Sequence, residues 1–301
     1  MCMGLERPQT EALGAYAGID TWEDQRILSA LVEAQERAIA AVCAASPRIA
    51  EAATLLAGRL ARGGRLIYAG AGTSIRVAVQ DGSELPATFG MPESQLAYLI
   101  AGGRAAMFDT LAEAEDDAVD GERQAGICTP ADTLVAVAAS GATPFTVAAA
   151  KRAKEKGAAV IAVVNNPGSP LAAAADIEIL LASGAEVIAG STRMGAGTAQ
   201  KAALNLLSTL THIKLGAVHD GMMVSVEAGN AKLKKRATAI VMNIAGVDEP
   251  RAASALDIAG GHVKPAVLIC KGAKTIEAAR KLLADANGNL RLALSRQTAS
   301  Y

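Results

Sequence analysis

The sequence predicts an α/β fold, a parallel sheet flanked by helices, with N-terminal helices and a small C-terminal helical bundle. Three observations carry this expectation. Five short, continuously apolar segments of strand length alternate with helical stretches of roughly ten to fifteen residues, the pattern of a parallel sheet covered on both faces. Each segment runs into a loop of small and polar residues, where such a sheet places its ligands. The chain of 301 residues is 51% apolar and 20% charged, which allows a substantial core and excludes a disordered class. Aromatic residues are only 3%, so that core is built from Ala, Val, Leu and Ile, a mixture suited to close helix packing on a sheet.

Taken in order, residues 22 to about 62 show apolar positions returning every three or four residues and read as helical, with Pro47 at a helix start and Gly63-Gly64 closing the last helix. RLIYAGAG follows as the first strand. A helix and a turn come next, and DGSELPATFG reads as an irregular loop because of Gly82, Pro86 and Gly90. LAYLIAGG is the second strand, EAEDDAVDG an acidic helix, and DTLVAVAASG (132–141) the third strand. VAAAKRAKEKG is an amphipathic helix, AAVIAVVNNPGSP the fourth strand with a polar turn, and IEILLA the fifth. From about 196 onward the chain reads as mostly helical. AQKAALNLLSTLTHIKLGAV and SVEAGNAKLKKRATAIVMNIAG are long helices, and TIEAARKLLADANG ends on a C-cap glycine. The expected organisation is a helical segment 1–62, a ligand-binding domain 63–225 and a helical region 226–301.

The formal charge is -1, and no basic tract carries interleaved aromatics, which argues against a nucleic-acid partner. Cys2, Cys43, Cys128 and Cys270 lack CxxC spacing and read as reduced thiols. The start MCMGLERPQTEALG has Glu and Pro where a signal peptide has a basic and then an apolar region. The longest apolar runs are of strand length, too short to cross a bilayer as helices. A cytoplasmic protein with no membrane partner is expected. His212, His219 and His262 lack HxH or HExxH spacing, so no metal site is expected.

The loops after the strands read GAGTS, AGGRAA, ASGATP, NNPGSP and GSTRMGAGTAQK, and all converge on one rim. A Gly/Ser/Thr loop before a helix offers backbone N–H groups, hydroxyls and the positive helix end, which suit a phosphate. GAGTSIR is neither a P-loop, since no Lys follows, nor a complete GxGxxG, so ATP hydrolysis and dinucleotide binding are disfavoured. Gly72, Thr73, Ser74, Ser140, Thr143, Ser191 and Thr192 are the candidate phosphate ligands, with Arg76 and Arg193 as the cations among them. The alternative is that these hydroxyls cap helices. Glu84 and Glu115 are the candidate acid and base, since two carboxylates of divergent pKa can perform both tasks on a bound sugar phosphate. The alternative for each is a solvated surface group.

The stretches GRLIYAGAGTSIR, DGSELPATFG, LIAGG, EAEDD, AASGATPF, GSTRMGAGTAQKAALNLLST and NAKLKKRA, in this order and spacing, resemble the N-acetylmuramic acid 6-phosphate etherase family of sugar isomerase (SIS) domain proteins. The opening QTEALGAYAGIDTW is similar to the family's N-terminal segment. The resemblance implies a SIS-type sheet and cleavage of the D-lactyl ether at C3 of a phosphorylated amino sugar by syn elimination from the open-chain form, followed by hydration. It implies no cofactor. Glu84 falls on the family's proton donor and Glu115 on its second essential acid. A homodimer with sites near the subunit boundary is implied as well. Two other readings share the fold: a sugar-phosphate isomerase, which needs the same C2 proton abstraction, and a non-catalytic sugar-phosphate sensor.

The chain departs from the family pattern at named positions. Ile75 replaces a glycine and is expected to put a branched side chain on the cradle. Ala142 and Phe145 stand in ASGATPF for Arg and Tyr, Gly195 for Lys, and Ser225 for Asp, while His219 takes a position usually aromatic. Two cations are thus absent from ligand-facing loops, and Lys201, Lys232 or a partner subunit are the candidate replacements. Charge-assisted contacts are the strong ones for an anionic substrate.

Overall fold

The computed structural model describes residues 8–109, 111–226 and 231–299. Alanines recurring at helical spacing fold into one continuous helix, α1 (Asp24–Leu60), whose buried face includes Ala34, Ala38, Ala41, Ala45 and Ala52. The break expected at Pro47 does not occur. A proline inside a helix strips the carbonyl four residues back of its donor. Here that carbonyl, Cys43 O, accepts instead from Ser46 Oγ at 2.7 Å. Pro47 faces solvent, where its ring meets least resistance. At 37 residues, and with a mean hydropathy of 1.4 over an 18-residue window, α1 is long and apolar enough to span a bilayer by length and composition, correcting the expectation that no helix would be.

The five expected strands all form. They are β1 (Leu66–Gly70), β2 (Leu96–Ile100), β3 (Thr133–Ala138), β4 (Ala159–Val164) and β5 (Ile177–Leu180). All pair in parallel in the order β2-β1-β3-β4-β5, with Gly70 beside both Ile100 and Val137. The strand order reverses between β1 and β3, and at such a switch point adjacent loops diverge to leave a crevice. The residues of β1, β3 and β4 are buried throughout, as a doubly covered sheet requires. The helices between strands are α2 (Gly72–Phe89), α3 (Ala118–Ala125), α4 (Pro144–Glu155) and the short α5 (Pro170–Ala174), followed after β5 by α6 (Gly195–Lys214). Arg48 of α1 donates through Nε to the Glu178 carbonyl of β5 at 3.2 Å, fixing α1 at that edge.

Polar side chains close the sheet's ends. At the β2 edge, Gln124 of α3 accepts from Ile100 N–H and donates to Ile100 O, both at 3.0 Å, satisfying an edge that would otherwise stay unpaired. At the opposite end of the strands, Asp132 accepts from the Arg65 backbone and guanidinium and from Thr129. Burial works to raise its carboxyl, and these hydrogen bonds outweigh it and hold it below the usual range. Tyr68 of β1 donates to Asp81 Oδ2 at 2.7 Å, and Ser208 of α6 donates to Oδ1 at 3.0 Å. One carboxylate thus sets α2 against both neighbours.

DGSELPATFG, expected as an irregular loop, is helical and forms the second half of α2. Gly82 is there because Tyr98 covers it: a Cβ would stand 2.5 Å from Tyr98 Oη and 3.0 Å from Tyr68 Cε2. The helix stops at Gly90, which takes φ +65 and donates to Pro86 O at 3.0 Å. EAEDD is likewise not an α-helix but a 3-10 turn, Ala112–Asp116, ahead of α3, whose N-cap is Asp117.

Packing divides the chain into two units, Met1–Ser83 with Ser94–Ser208, and Glu84–Glu93 with Thr209–Tyr301. The second unit contains α7 (Ala231–Ala245), α8 (Glu249–Ile258), α9 (Val263–Cys270), α10 (Ile276–Asp285) and α11 (Leu290–Ala299) around a core that includes Val241, Leu256, Val267 and Leu268. Asp248 and Thr275 cap α8 and α10 with their side chains. Before α7 a two-stranded ribbon intervenes, β6 (Val218–His219) with β7 (Met222–Met223), turning at Asp220-Gly221 with φ of 47 and 76. The expected helix beginning near 225 starts at Ala231, and its residues 227–230 lie outside the described residues.

Gly82→Ala is expected to lower stability by about 1–3 kcal/mol through overpacking against Tyr98. Adding Tyr98→Phe removes the nearest atom and should recover part of the loss. Urea midpoints of the two variants check both statements.

Candidate functional site

The loop expected after β1 is shorter than it reads. Only Ala71 separates β1 from α2, so Gly72, Thr73 and Ser74 form the first turn of the helix, at the sheet's switch point. Gly72 has φ +51, and a Cβ on it would stand 2.8 Å from Glu115 Oε1. A side chain here would therefore be strained and would also displace the carboxylate. Glycine lets Glu115 rest on the helix start.

Glu115 sits on the 3-10 turn after β2, and Arg76 of α2 holds the preceding loop. Its Nη2 donates to Ala106 O at 2.9 Å and to Asp109 O at 3.2 Å, while its buried Nε has no hydrogen-bond partner among the described residues. Glu115 is exposed as a residue, but its carboxyl is the part laid against Gly72. Desolvation there raises its pKa, Asp116 raises it further, and Arg76 pulls it back. A carboxylate held above its ordinary range is a stronger base than a solvated one.

The β3 loop lies beside β1 in the sheet. Ser140 Oγ accepts from Ala142 N–H at 3.1 Å in a local turn. Thr143 occupies the N-cap position of α4, yet its side chain makes no cap hydrogen bond, so the capping alternative does not account for it. Capping does explain Ser169, which accepts from Ala172 N–H at 3.3 Å. Ile75, expected on the cradle, is wholly buried, as is Phe145. Their side chains point into the core. The branched side chain at 75 is therefore not exposed on the cradle.

The GST loop is built from several short bonds. Ser191 N–H donates to Ile188 O, Thr192 N–H to Gly190 O, and Gly197 N–H returns to Thr192 O at 2.8 Å. Ser191 and Thr192 are half-buried and Arg193 is exposed. The N-terminal QTE segment seats on this loop: Thr10 O accepts from Gly190 N–H at 2.9 Å, and Glu11 lies against Gly190. At the start of α6, a Cβ on Gly197 would touch Thr73 Cγ2 at 3.3 Å, which places the GST segment beside the first turn of α2. Gly72, Thr73, Ser74, Arg76 and Glu115 are thus brought together with this loop. Glu84 lies on α2 within the second unit and is exposed. Lys201 and Lys232 are exposed, on α6 and α7.

One residue escaped the sequence reading. Glu186, 2% exposed, accepts from Gly195 N–H at 2.9 Å and from Ala196 N–H at 2.8 Å, one on each oxygen. The positive end of α6 is therefore already occupied by a carboxylate. A Cβ at Gly195 would stand 3.2 Å from Glu186 Oε2, so the residue missing a lysine here is also the residue this carboxylate caps. The signal for it, a Glu nine residues before a glycine-rich helix start, is too common to read unaided. Beside it, Gln200 donates to Asn165 Oδ1 at 2.9 Å, and Asn165 donates to Leu181 O at 3.0 Å, tying α6 to the ends of β4 and β5. Among the described residues no group of three His, Cys, Asp or Glu side chains gathers as a metal site requires.

A SIS-domain family model matches residues 107–210, and a model of the glucokinase regulatory protein N-terminal SIS domain matches residues 48–153. The chain is 44% identical over 281 residues to an N-acetylmuramic acid 6-phosphate etherase of Deinococcus radiodurans, covering 93% of this chain and 92% of that one. It is 48% identical to the one of Symbiobacterium thermophilum, with 83% of each covered. With N-acetylmuramic acid 6-phosphate etherase 1 of Vibrio cholerae it shares 41% identity over 99% of this chain and 100% of that one. A phosphoheptose isomerase structure from Francisella tularensis superposes with a TM-score of 0.50 at 22% identity, covering 64% of this chain and 98% of that one, and shows a shared fold.

Glu186→Gln leaves one acceptor for two N–H donors and sets an amide N–H against the other. The expected cost is about 1–3 kcal/mol. A lower urea midpoint with an unchanged slope checks it, and Glu186→Asp, which keeps both oxygens, should recover part of the loss.

Proposed function

The chain belongs to the N-acetylmuramic acid 6-phosphate etherase family, and from that premise we propose how its residues cleave the D-lactyl ether of N-acetylmuramic acid 6-phosphate or a closely related phosphosugar ether. The enzyme is a carbon-oxygen lyase. The observation that carries the proposed mechanism is the Glu115 carboxyl resting on Gly72 at the first turn of α2, raised in pKa by its burial there.

In the open-chain sugar the C1 aldehyde acidifies the C2 proton by delocalising the carbanion. Glu115 takes that proton. The C3–O bond then breaks, and the departing lactate oxygen takes a proton from Glu84, since an alkoxide leaves poorly without one. Water then adds to the double bond: Glu84 takes a proton from it as its hydroxyl bonds to C3, and Glu115 returns its proton to C2, giving N-acetylglucosamine 6-phosphate and D-lactate. Both carboxylates return to their starting states.

Phosphate binding is assigned to Gly72, Thr73, Ser74, Ser140, Thr143, Ser191 and Thr192, supported by their positions at the switch point and on the neighbouring loops. Arg193, exposed on the GST loop, offers countercharge, while Arg76 holds the loop that carries Glu115 and tunes its carboxyl. The isomerase and sensor readings have less support, since curated relatives at 41–48% identity across most of the chain carry the etherase name.

We further infer a cytoplasmic homodimer with sites near the subunit boundary, bound to neither nucleic acid nor membrane. Leu28, Val32 and Ile39, between 46% and 57% exposed, fall on one stripe of α1, an apolar face suited to a second copy. Cys43, Cys128 and Cys270 are free thiols, in keeping with a reducing compartment.

Lactate release from N-acetylmuramic acid 6-phosphate is the test, and Glu84→Ala and Glu115→Ala are each expected to reduce it by about 10²–10⁴-fold. Release that survives both substitutions would overturn the assignment. A base works only when ionised, so kcat/KM should rise with pH through a value above the ordinary Glu range. Because Arg76 lowers the Glu115 pKa, Arg76→Gln should move that rising limb to higher pH.

A further inference from the structure

The second unit holds a cavity of about 350 Å³ that the proposed chemistry does not use. Its polar lining is rich in basic side chains: His262, Lys264 and Arg280 face it, together with Ser225 and the backbone at Gly90, and no Asp or Glu is among the described lining residues. Val263, Pro265 and Leu283 supply an apolar wall. Lys264 is half-buried, and its ammonium donates to a single neutral acceptor, Gly288 O at 2.8 Å. An ammonium has three donors, so two of them have no protein partner among the described residues. Burial pushes this ammonium down to about 8.

A half-buried cation with no counter-ion among the described residues is costly, and an anion beside it recovers that cost through charge-assisted bonds. His262 and Arg280 are exposed at the same cavity, where Arg280 adds a guanidinium and His262 a ring nitrogen for hydrogen bonding. Three basic groups, with no carboxylate among the described lining residues, suit a dianion better than a carboxylate monoanion. The volume accommodates a ligand the size of a small phosphate ester. We infer that this cavity binds a phosphate-type dianion, either free phosphate or a phosphate monoester, through Lys264, Arg280 and His262.

This inference stands apart from the etherase mechanism, so the two fail separately. The test is isothermal titration of the full chain with inorganic phosphate and, in a second arm, with N-acetylglucosamine 6-phosphate. Lys264→Gln keeps a donor for Gly288 O while removing the charge, and Ser225→Asp places a carboxylate in the cavity. Each is expected to raise the dissociation constant by about tenfold or more. Arg280→Gln, at an exposed position with little bearing on folding, should raise it several-fold.

Loss in both arms identifies the phosphate group as the ligand, and loss in the ester arm alone identifies a monoester. Titrations of all three variants that match the unsubstituted protein would overturn the inference. So would the absence of heat in both arms with the unsubstituted protein. A lactate assay that failed while these titrations behaved as expected would count against the etherase reading only.

Discussion

A sheet buried on both faces cannot leave its backbone polar groups to water, and the first unit is arranged around meeting that demand. Gln124 satisfies both groups of Ile100 on the β2 edge, and in doing so it pins α3 and the acidic turn just before it. Asn165 takes the Leu181 carbonyl and passes the contact on to Gln200, which holds α6 over the ends of β4 and β5. Asp81 joins Tyr68 to Ser208 and so sets the direction of α2. These residues touch no ligand in the proposed chemistry. They decide where the ligand-facing turns can stand.

The consequence is clearest at Glu115. Its turn is held from the sheet side by α3 and from the helix side by Arg76, so its carboxyl is placed by backbone rather than by its own flexible side chain. Gly72 gives it a bare helix start to rest on. The same placement removes water and raises its pKa, while Arg76 keeps the shift in check. A base needs both position and a pKa near the working range, and here one contact contributes to both.

All five strands and the rim they share were legible in the sequence, because continuous runs such as TLVAVA and AVIAVV admit few other folds at that length. The proline and glycine signals misled. Pro47 and Pro86 both lie inside helices, the first because Ser46 takes up the carbonyl it strips, and Gly82 is required by Tyr98 rather than by a turn. Local rules see a breaker; they do not see the tertiary partner that makes it tolerable. Asp220-Gly221 was a readable hairpin signal in the stretch left unassigned between two expected helices. At the site, the hydroxyl loops and both glutamates could be named from the residues and the family resemblance. The inward turn of Ile75 and the capping of α6 by Glu186 could not, since each depends on which face of a helix or loop meets the core.

In the proposed mechanism Glu115 removes the C2 proton and Glu84 protonates the leaving lactate. Deuterium exchange at C2 of N-acetylmuramic acid 6-phosphate, followed in heavy water with Glu84→Gln and Glu115→Gln, separates the two steps. Glu84→Gln is expected to exchange the C2 hydrogen while releasing little lactate, and Glu115→Gln to do neither. Exchange that persists in Glu115→Gln and vanishes in Glu84→Gln would contradict this mechanism.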